Sequence, residues 1–153
     1  MSALAAELEG IDLGDQRLNR RARKLLSRLG DNPSVSIPAA CSGWDETRAA
    51  YRLFDHHQVT AQQILEPHYR ASQQRMAEHP QILCIQDTTE LDYTTKSDIE
   101  GLGPLNYEHR RGLYLHPTIA VTPERLCLGV IDAWSWTREP GSLGQDKGQR
   151  GGS

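Results

Sequence analysis

Hydrophobic positions recur every three or four residues in the first half of the chain, a spacing that predicts amphipathic helices. Residues 12–29 show the pattern most clearly, with an apolar stripe made of Leu18, Ala22, Leu25, Leu26 and Leu29. Asp12 or Asp15 can cap the start of this helix, and Gly30 predicts its end. The proline-containing segment that follows, residues 31–43, is expected to be extended or looped.

Two more helices are predicted before residue 80. One begins near Ser42, because Asp45 follows at a spacing close to that of a capping box. Its apolar side is expected to contain Ala50, Tyr51 and Phe54. The other helix spans residues 60–78, and Pro67 predicts a kink or a break within it. The first half of the chain is therefore predicted to be all-helical.

From residue 80 onward the hydrophobic residues form short continuous runs, which predict strands. The expected strands are residues 82–85, 113–121 and 126–136, and the last two form a hairpin with Pro123 at its turn. The first run is typical of a central strand buried on both faces. Residues 94–112 between the first and second strands are expected to form a loop or a short helix.

This change of pattern predicts an α+β protein with a helical domain at residues 1–79 and a β-containing domain at 80–138. The polar, glycine-rich tail at 139–153 is expected to be disordered. Three strands without covering helices make an incomplete domain, so the chain is expected to stop partway through a fold.

Composition narrows the class of protein. Hydrophobic residues make up 37% of the 153 residues and charged residues 24%, typical of a soluble globular protein. The sequence shows neither a transmembrane run nor a secretory signal, and its three cysteines form no CxxC pair. We therefore expect a cytosolic protein without structural zinc or disulfides.

The charge distribution points to a polyanionic partner. The net charge is −3, yet six basic residues and no acidic ones lie between positions 17 and 28. Those on a common helical face are Arg17, Arg20, Arg21, Lys24 and Arg28, and Arg48 and Arg52 lie one turn apart on the next helix. This pattern predicts binding to nucleic acid, with an ordinary solvated helix face as the alternative.

Asp87 follows the first predicted strand directly. A carboxylate at the end of a strand is a suitable first ligand for Mg²⁺, which prefers carboxylates, water and phosphate oxygens. The alternative is an Asp that only starts a local turn. Asp92 should face the other way, whereas Asp132 and Glu108 remain as potential partners. Arg110 and Arg111, which follow later in the chain, could bind phosphate, with ordinary loop charge as the alternative.

Several motifs occur together in one order. They include "LGD" with its following arginines, "AAYRLF", "ILCIQDTTELDYT" and the pattern R.GL..H. In this respect residues 8–140 resemble bacterial insertion-sequence transposases of the cut-and-paste type, including the kind used for tagmentation.

The resemblance implies a helical domain that binds double-stranded DNA at a transposon end, followed by a ribonuclease H-like domain. That second domain would use an Asp-Asp-Glu triad and two Mg²⁺ ions, with Asp87 as the first triad member. Arg21 and Arg52 match family positions implicated in end binding. The resemblance also implies a homodimer, or a heteromer with full-length transposase, in the bacterial cytoplasm near the nucleoid and away from membranes.

The second Asp and the Glu of the triad have no counterpart in this sequence. We therefore expect a truncated transposase with an incomplete ribonuclease H-like domain, inactive alone. Two other hypotheses stay open. One is a stand-alone DNA-binding regulator or inhibitor of transposition. The other is a small metal-dependent nuclease, which would need Asp132 and Glu108 to converge on Asp87.

Overall fold

The chain folds as an α+β protein, as its hydrophobic pattern predicts. In this computed structural model the described residues are 6–96, 98–107 and 109–141. The chain divides between Pro80 and Gln81 into two compact units, the first helical and the second built on an antiparallel sheet. Most of the predicted tail, residues 142–153, lies outside the described residues. No helix among the described residues is long and apolar enough to cross a membrane.

The helices of the first unit begin at residues that suit helix starts. They are α1 (Gln16–Asp31), α2 (Ile37–Ala40), α3 (Trp44–Phe54) and α4 (Ala61–Met76). The Asp15 carboxylate caps α1 by accepting a hydrogen bond of 2.7 Å from the backbone N–H of Arg17. Thr60 and Gln63 form a capping box at the start of α4. A kink or a break was predicted at Pro67, and the break does not occur, because this helix continues through that residue.

Two local predictions around α2 and α3 are wrong. The segment expected to be extended contains α2, in which Pro38 occupies the first turn, where a missing N–H costs little. The N-cap of α3 is Gly43 and not Ser42. The backbone N–H of Ser42 instead donates to the Glu46 carboxylate at 2.5 Å. An acid in the first turn of α3 thus satisfies a backbone donor that precedes the helix.

The core of the first unit joins α1, α3 and the segment that precedes α1. Its buried members are Leu8, Ile11, Leu13, Leu18, Ala22, Leu25, Ala50 and Leu53. The predicted stripe of α1 is confirmed, because the remaining two residues, Leu26 and Leu29, pack against this cluster. On α3 the prediction holds for Ala50 only. Tyr51 and Phe54 are exposed, and Leu53 takes the core position instead.

A shielded carboxylate links α1 to α3. Glu46, whose side chain is 14% exposed, lies 2.9 Å from Lys24 Nζ and accepts a hydrogen bond of 3.3 Å from Arg28 Nε. The hydrogen bond from Lys24, followed by that from the backbone of Ser42, lowers the pKa of Glu46 to about 2. Two cations of the basic face of α1 are therefore held by an acid of the neighbouring helix.

A second ionic contact fixes the segment before α1 to α4. Glu7 accepts hydrogen bonds from Arg75 at 2.8 and 3.2 Å and lies 2.7 Å from His68 Nδ1. Partial burial alone would raise the pKa of Glu7, but the hydrogen bonds from Arg75 and His68 outweigh it and lower the pKa. These contacts connect residues more than 60 positions apart.

The second unit is a sheet centred on β4. Its strands are β1 (Leu83–Gln86), β2 (Thr89–Asp92), β3 (Gly103–Pro104), β4 (Arg111–Val121) and β5 (Cys127–Trp136). All pair antiparallel with β4. Because β1 and β2 share one register along β4, they lie on the same edge of it. β5 pairs with β4 residues that also pair with β1 and with others that also pair with β2. β5 therefore lies on the other edge of β4.

Three strands were predicted, and the described part of the sheet has five. The sequence pattern missed β2, which continues the register of β1, and β3, a two-residue strand inside the predicted loop. The hairpin between β4 and β5 is confirmed, since the N–H of Arg125 donates to the carbonyl of Thr122 at 2.9 Å. The ladder of this hairpin contains two register shifts.

The prediction that residues 82–85 form a central strand buried on both faces is wrong. Within the described residues β1 pairs only with β4, and Leu83 and Ile85 are 45% and 52% exposed. All four residues of β1 are exposed, so neither set of its side chains is buried.

We predict that Leu53→Ala destabilises the first unit by about 2–5 kcal/mol, because it removes a buried side chain and leaves a cavity. The neighbouring Phe54→Ala is the matched control, since Phe54 is 49% exposed and should cost well under half as much. Urea unfolding monitored by circular dichroism measures both. Equal losses for the two variants would contradict the assigned core face of α3.

We predict that Glu46→Gln destabilises the first unit by roughly 1–3 kcal/mol at neutral pH, because charge-assisted hydrogen bonds to two cations are weakened. Since the folded pKa of about 2 lies below the ordinary 4.5, this stabilisation is complete above pH 4.5. It is lost as the pH falls through about 2, where the variant and the parent should converge. Asp45→Asn is the control, because the Asp45 side chain is fully exposed. Unfolding at a series of pH values tests this.

Candidate nucleic-acid interface

The basic side chains of α1 lie on one face because they follow the helical period. Leu18, Ala22 and Leu25 turn the opposite face into the core, which forces the cations outward. The predicted members of this face are Arg17, Arg20, Arg21, Lys24 and Arg28. The core thus determines which way the cationic face of α1 points.

A groove of about 670 Å³ lies between this face and the start of α3. Four predicted residues contribute to its wall from α1, namely Arg17, Arg20, Arg21 and Lys24. The opposite wall is formed by residues 42–46 and by Ala49 and Ala50. The structure therefore brings a majority of the predicted DNA contacts into a single concave surface.

The cations of this region differ in how far they are already neutralised. Lys24 and Arg28 share Glu46, and Arg17 lies 3.7 Å from Asp15. No acidic partner is found for Arg20 or Arg21 within the part of the chain that the structure describes. These two guanidinium groups can therefore bind an anion without first breaking an ion pair.

The two predicted arginines of α3 have separate positions. The guanidinium carbon of Arg48 lies 5.6 Å from the centre of the Trp44 ring, and its Nη2 lies 3.9 Å from Asp45 Oδ1. Arg52 is exposed and follows one turn later on α3, and it does not line the groove. Arg48 thus extends the basic surface along α3 beside Trp44, whereas Arg52 lies farther along the helix.

Sequence reasoning missed Trp44. This tryptophan is the first residue of α3 and lines the groove, yet 71% of its surface is exposed. What sets Trp44 apart from the other exposed aromatic side chains is its place in the groove beside the cations of α1. The signal was present in the sequence as a Trp followed four residues later by an Arg, one helical turn apart.

Asp87 occupies the short gap between β1 and β2 and is exposed. Its Oδ1 accepts a hydrogen bond of 2.8 Å from the backbone N–H of the next residue, Thr88. Continuing the shared register places Asp87 opposite Pro117, which has no N–H to donate to the ladder. The Asp87 carboxylate therefore lies exposed in the gap between β1 and β2.

Asp132, one of the two acids proposed as partners of Asp87, does not converge on it. Gln86 donates to the Thr118 hydroxyl at 3.2 Å, and Thr118 is paired with Asp132 across β4 and β5. Paired residues share a face and neighbours in a strand alternate, so Asp132 and Asp87 lie on opposite faces. Glu108 lies outside the described residues.

The donors present do not fit a two-metal site. Over residues 6–96, 98–107 and 109–141, no three His, Cys, Asp or Glu side chains come together as a metal site. Two Mg²⁺ ions need several converging carboxylate oxygens, and Asp87 supplies a single carboxylate. The third hypothesis, a complete metal-dependent nuclease, gains no support from the described residues.

Both arginines considered for phosphate binding already make hydrogen bonds within the second unit, and Arg111 donates to the carbonyl of Leu102 at 3.3 Å. Arg110 donates to Asp92 at 2.8 Å and to Glu90 at 3.2 Å. Hydrogen bonds from Thr94, followed by the one from Arg110, lower the pKa of Asp92 to about 2. Arg110 therefore fastens the loop before β4 to β2, a role within the sheet rather than at a ligand.

Comparison with known proteins places the groove within a recognised region. A family model described as transposase DNA-binding matches residues 1–59, which include α1, α2 and α3. No curated protein matches the chain. Asp87 and the whole sheet lie outside the matched residues. The match supports a transposase N-terminal region in this chain and suggests a DNA-binding role in transposition.

Proposed function

We propose that the first unit binds double-stranded DNA at a transposon end, as the DNA-binding part of a bacterial insertion-sequence transposase. The observation that carries this proposal is the groove itself. It lies inside the region matched by the transposase DNA-binding family, and its wall holds Arg20 and Arg21 without described acidic partners.

The basic residues have different proposed roles, which follow from the contacts that each one makes. Arg20 and Arg21 are available for phosphate oxygens, which guanidinium groups bind in a planar, bidentate manner. Lys24 and Arg28 neutralise Glu46, one of two acids that line the groove, which would otherwise repel DNA. Arg48 and Arg52 would continue the phosphate contacts along α3.

We extend the proposal to the second unit as the start of a ribonuclease H-like domain of the Asp-Asp-Glu type. An antiparallel sheet with Asp87 directly after β1 supports this extension, together with the resemblance of the "QDTT" region. Asp87 is then the first carboxylate of the triad. Since the described donors do not fit two Mg²⁺ ions, no reaction step is assigned to this site.

We predict that Arg20→Gln combined with Arg21→Gln weakens binding to a 20-base-pair duplex roughly tenfold for each phosphate that the protein no longer binds. The slope of log K against log salt should become shallower by about 1 for each such phosphate, because fewer counterions are released. Fluorescence anisotropy of a labelled duplex over a range of salt concentrations measures both quantities.

The matched control for this experiment is Arg70→Gln. Arg70 is an exposed arginine of α4 in an ion pair of 2.9 Å with Glu66, outside the groove. It should leave affinity and slope nearly unchanged. If the control and the double variant lower affinity equally, binding depends on overall charge and not on this groove.

We predict that Asp87→Asn leaves duplex affinity and its salt dependence unchanged, because the proposed DNA contacts all belong to the first unit. The same anisotropy titration provides the measurement, and unfolding by urea confirms that the variant is folded. A loss of affinity comparable to that of the arginine double variant would contradict the assignment of DNA binding to the first unit.

A further inference from the structure

Trp44 and Arg48 form a feature that phosphate binding does not explain. Contacts to the phosphate backbone of DNA need cations and N–H groups, whereas an indole ring offers a broad apolar face. Trp44 lines the same groove as Arg20 and Arg21 and remains 71% exposed. A partner that satisfies the whole groove must therefore carry both negative charge and a flat apolar surface.

Nucleic acid combines these two properties, since each phosphate is linked to a base with a flat aromatic face. We infer that Trp44 is a stacking subsite for a nucleobase of the DNA whose phosphates bind α1. This inference rests on the proposed function and deepens it. In an intact duplex the neighbouring base pairs cover the base faces, so the subsite takes an unpaired or unstacked base.

The position of Arg48 suits this role. Its guanidinium lies 5.6 Å from the centre of the Trp44 ring, close enough for a cation–π contact that orients the indole. The charge of Arg48 is only weakly engaged by Asp45, at 3.9 Å and with the Asp45 side chain fully exposed. Arg48 can thus hold the ring in place and also approach the phosphate next to the stacked base.

Two probes test the inference. Each is a 20-base-pair duplex with one extra nucleotide in its centre, either an unpaired thymidine or an abasic residue with the same phosphate. The parent protein should bind the thymidine probe at least about fivefold more tightly, because only that probe offers a base to stack. The salt slopes for the two probes should be equal, since they have the same number of phosphates.

The variants separate stacking from charge. Trp44→Ala should abolish the preference for the thymidine probe without changing the salt slope, and Trp44→Phe should retain part of it. The matched control is Trp134→Ala, because Trp134 is similarly exposed at 65% but belongs to the sheet. It should keep the full preference. Thermal unfolding should show that every variant is folded, as expected for changes at exposed side chains.

A direct readout comes from a protein in which Trp134 and Trp136 are replaced by Phe, leaving Trp44 as the only tryptophan. Its fluorescence should be quenched by the thymidine probe and much less by the abasic one. Equal binding and equal quenching by both probes, with the salt slope intact, would overturn the stacking subsite and leave the proposed function standing. Failure to bind either probe would overturn both.

Discussion

The contact between Glu46 and the basic face of α1 is the constraint on which the groove depends. A carboxylate brought close to α1 by the core would repel DNA if it stayed uncompensated. Lys24 and Arg28 compensate it, and the backbone N–H of Ser42 uses its second oxygen. The same acid thereby connects the residue before the N-cap of α3 to two cations of α1.

The basic face of α1 was predictable from sequence because both of its causes are local. A helical period of 3.6 residues separates apolar from charged positions, and the core then selects the side that is buried. The groove was not predictable in the same way. Glu46 comes to Lys24 and Arg28 from a distant part of the sequence, and no spacing rule indicates that an acid on α3 will face them. Tyr51 and Phe54 show the same limit, since contact with α1 buries Leu53 instead.

The sheet shows a different limit of sequence reasoning. A run such as residues 82–85 reports that side chains are apolar, but not how many strands flank it or what covers it. β4 is the strand that has neighbours on both edges. Its central position becomes evident only from the strand pairing, which the apolar pattern of the sequence does not give. The faces of Asp87 and Asp132 likewise follow from pairing across β4, and their sequence separation alone could not provide them.

The first unit therefore supports a conclusion about DNA binding more directly than the second unit supports one about metal-dependent catalysis. Phosphate binding is close to additive, so a few outward cations on one helix face suffice to propose a DNA surface. Two-metal chemistry requires several carboxylates to converge within a few ångströms, and each must come from a different part of a fold. Asp87 supplies one carboxylate for such a site. The described residues bring no group of three metal-ligating side chains together. For this reason the DNA-binding proposal rests on geometry, whereas the role of Asp87 rests on resemblance.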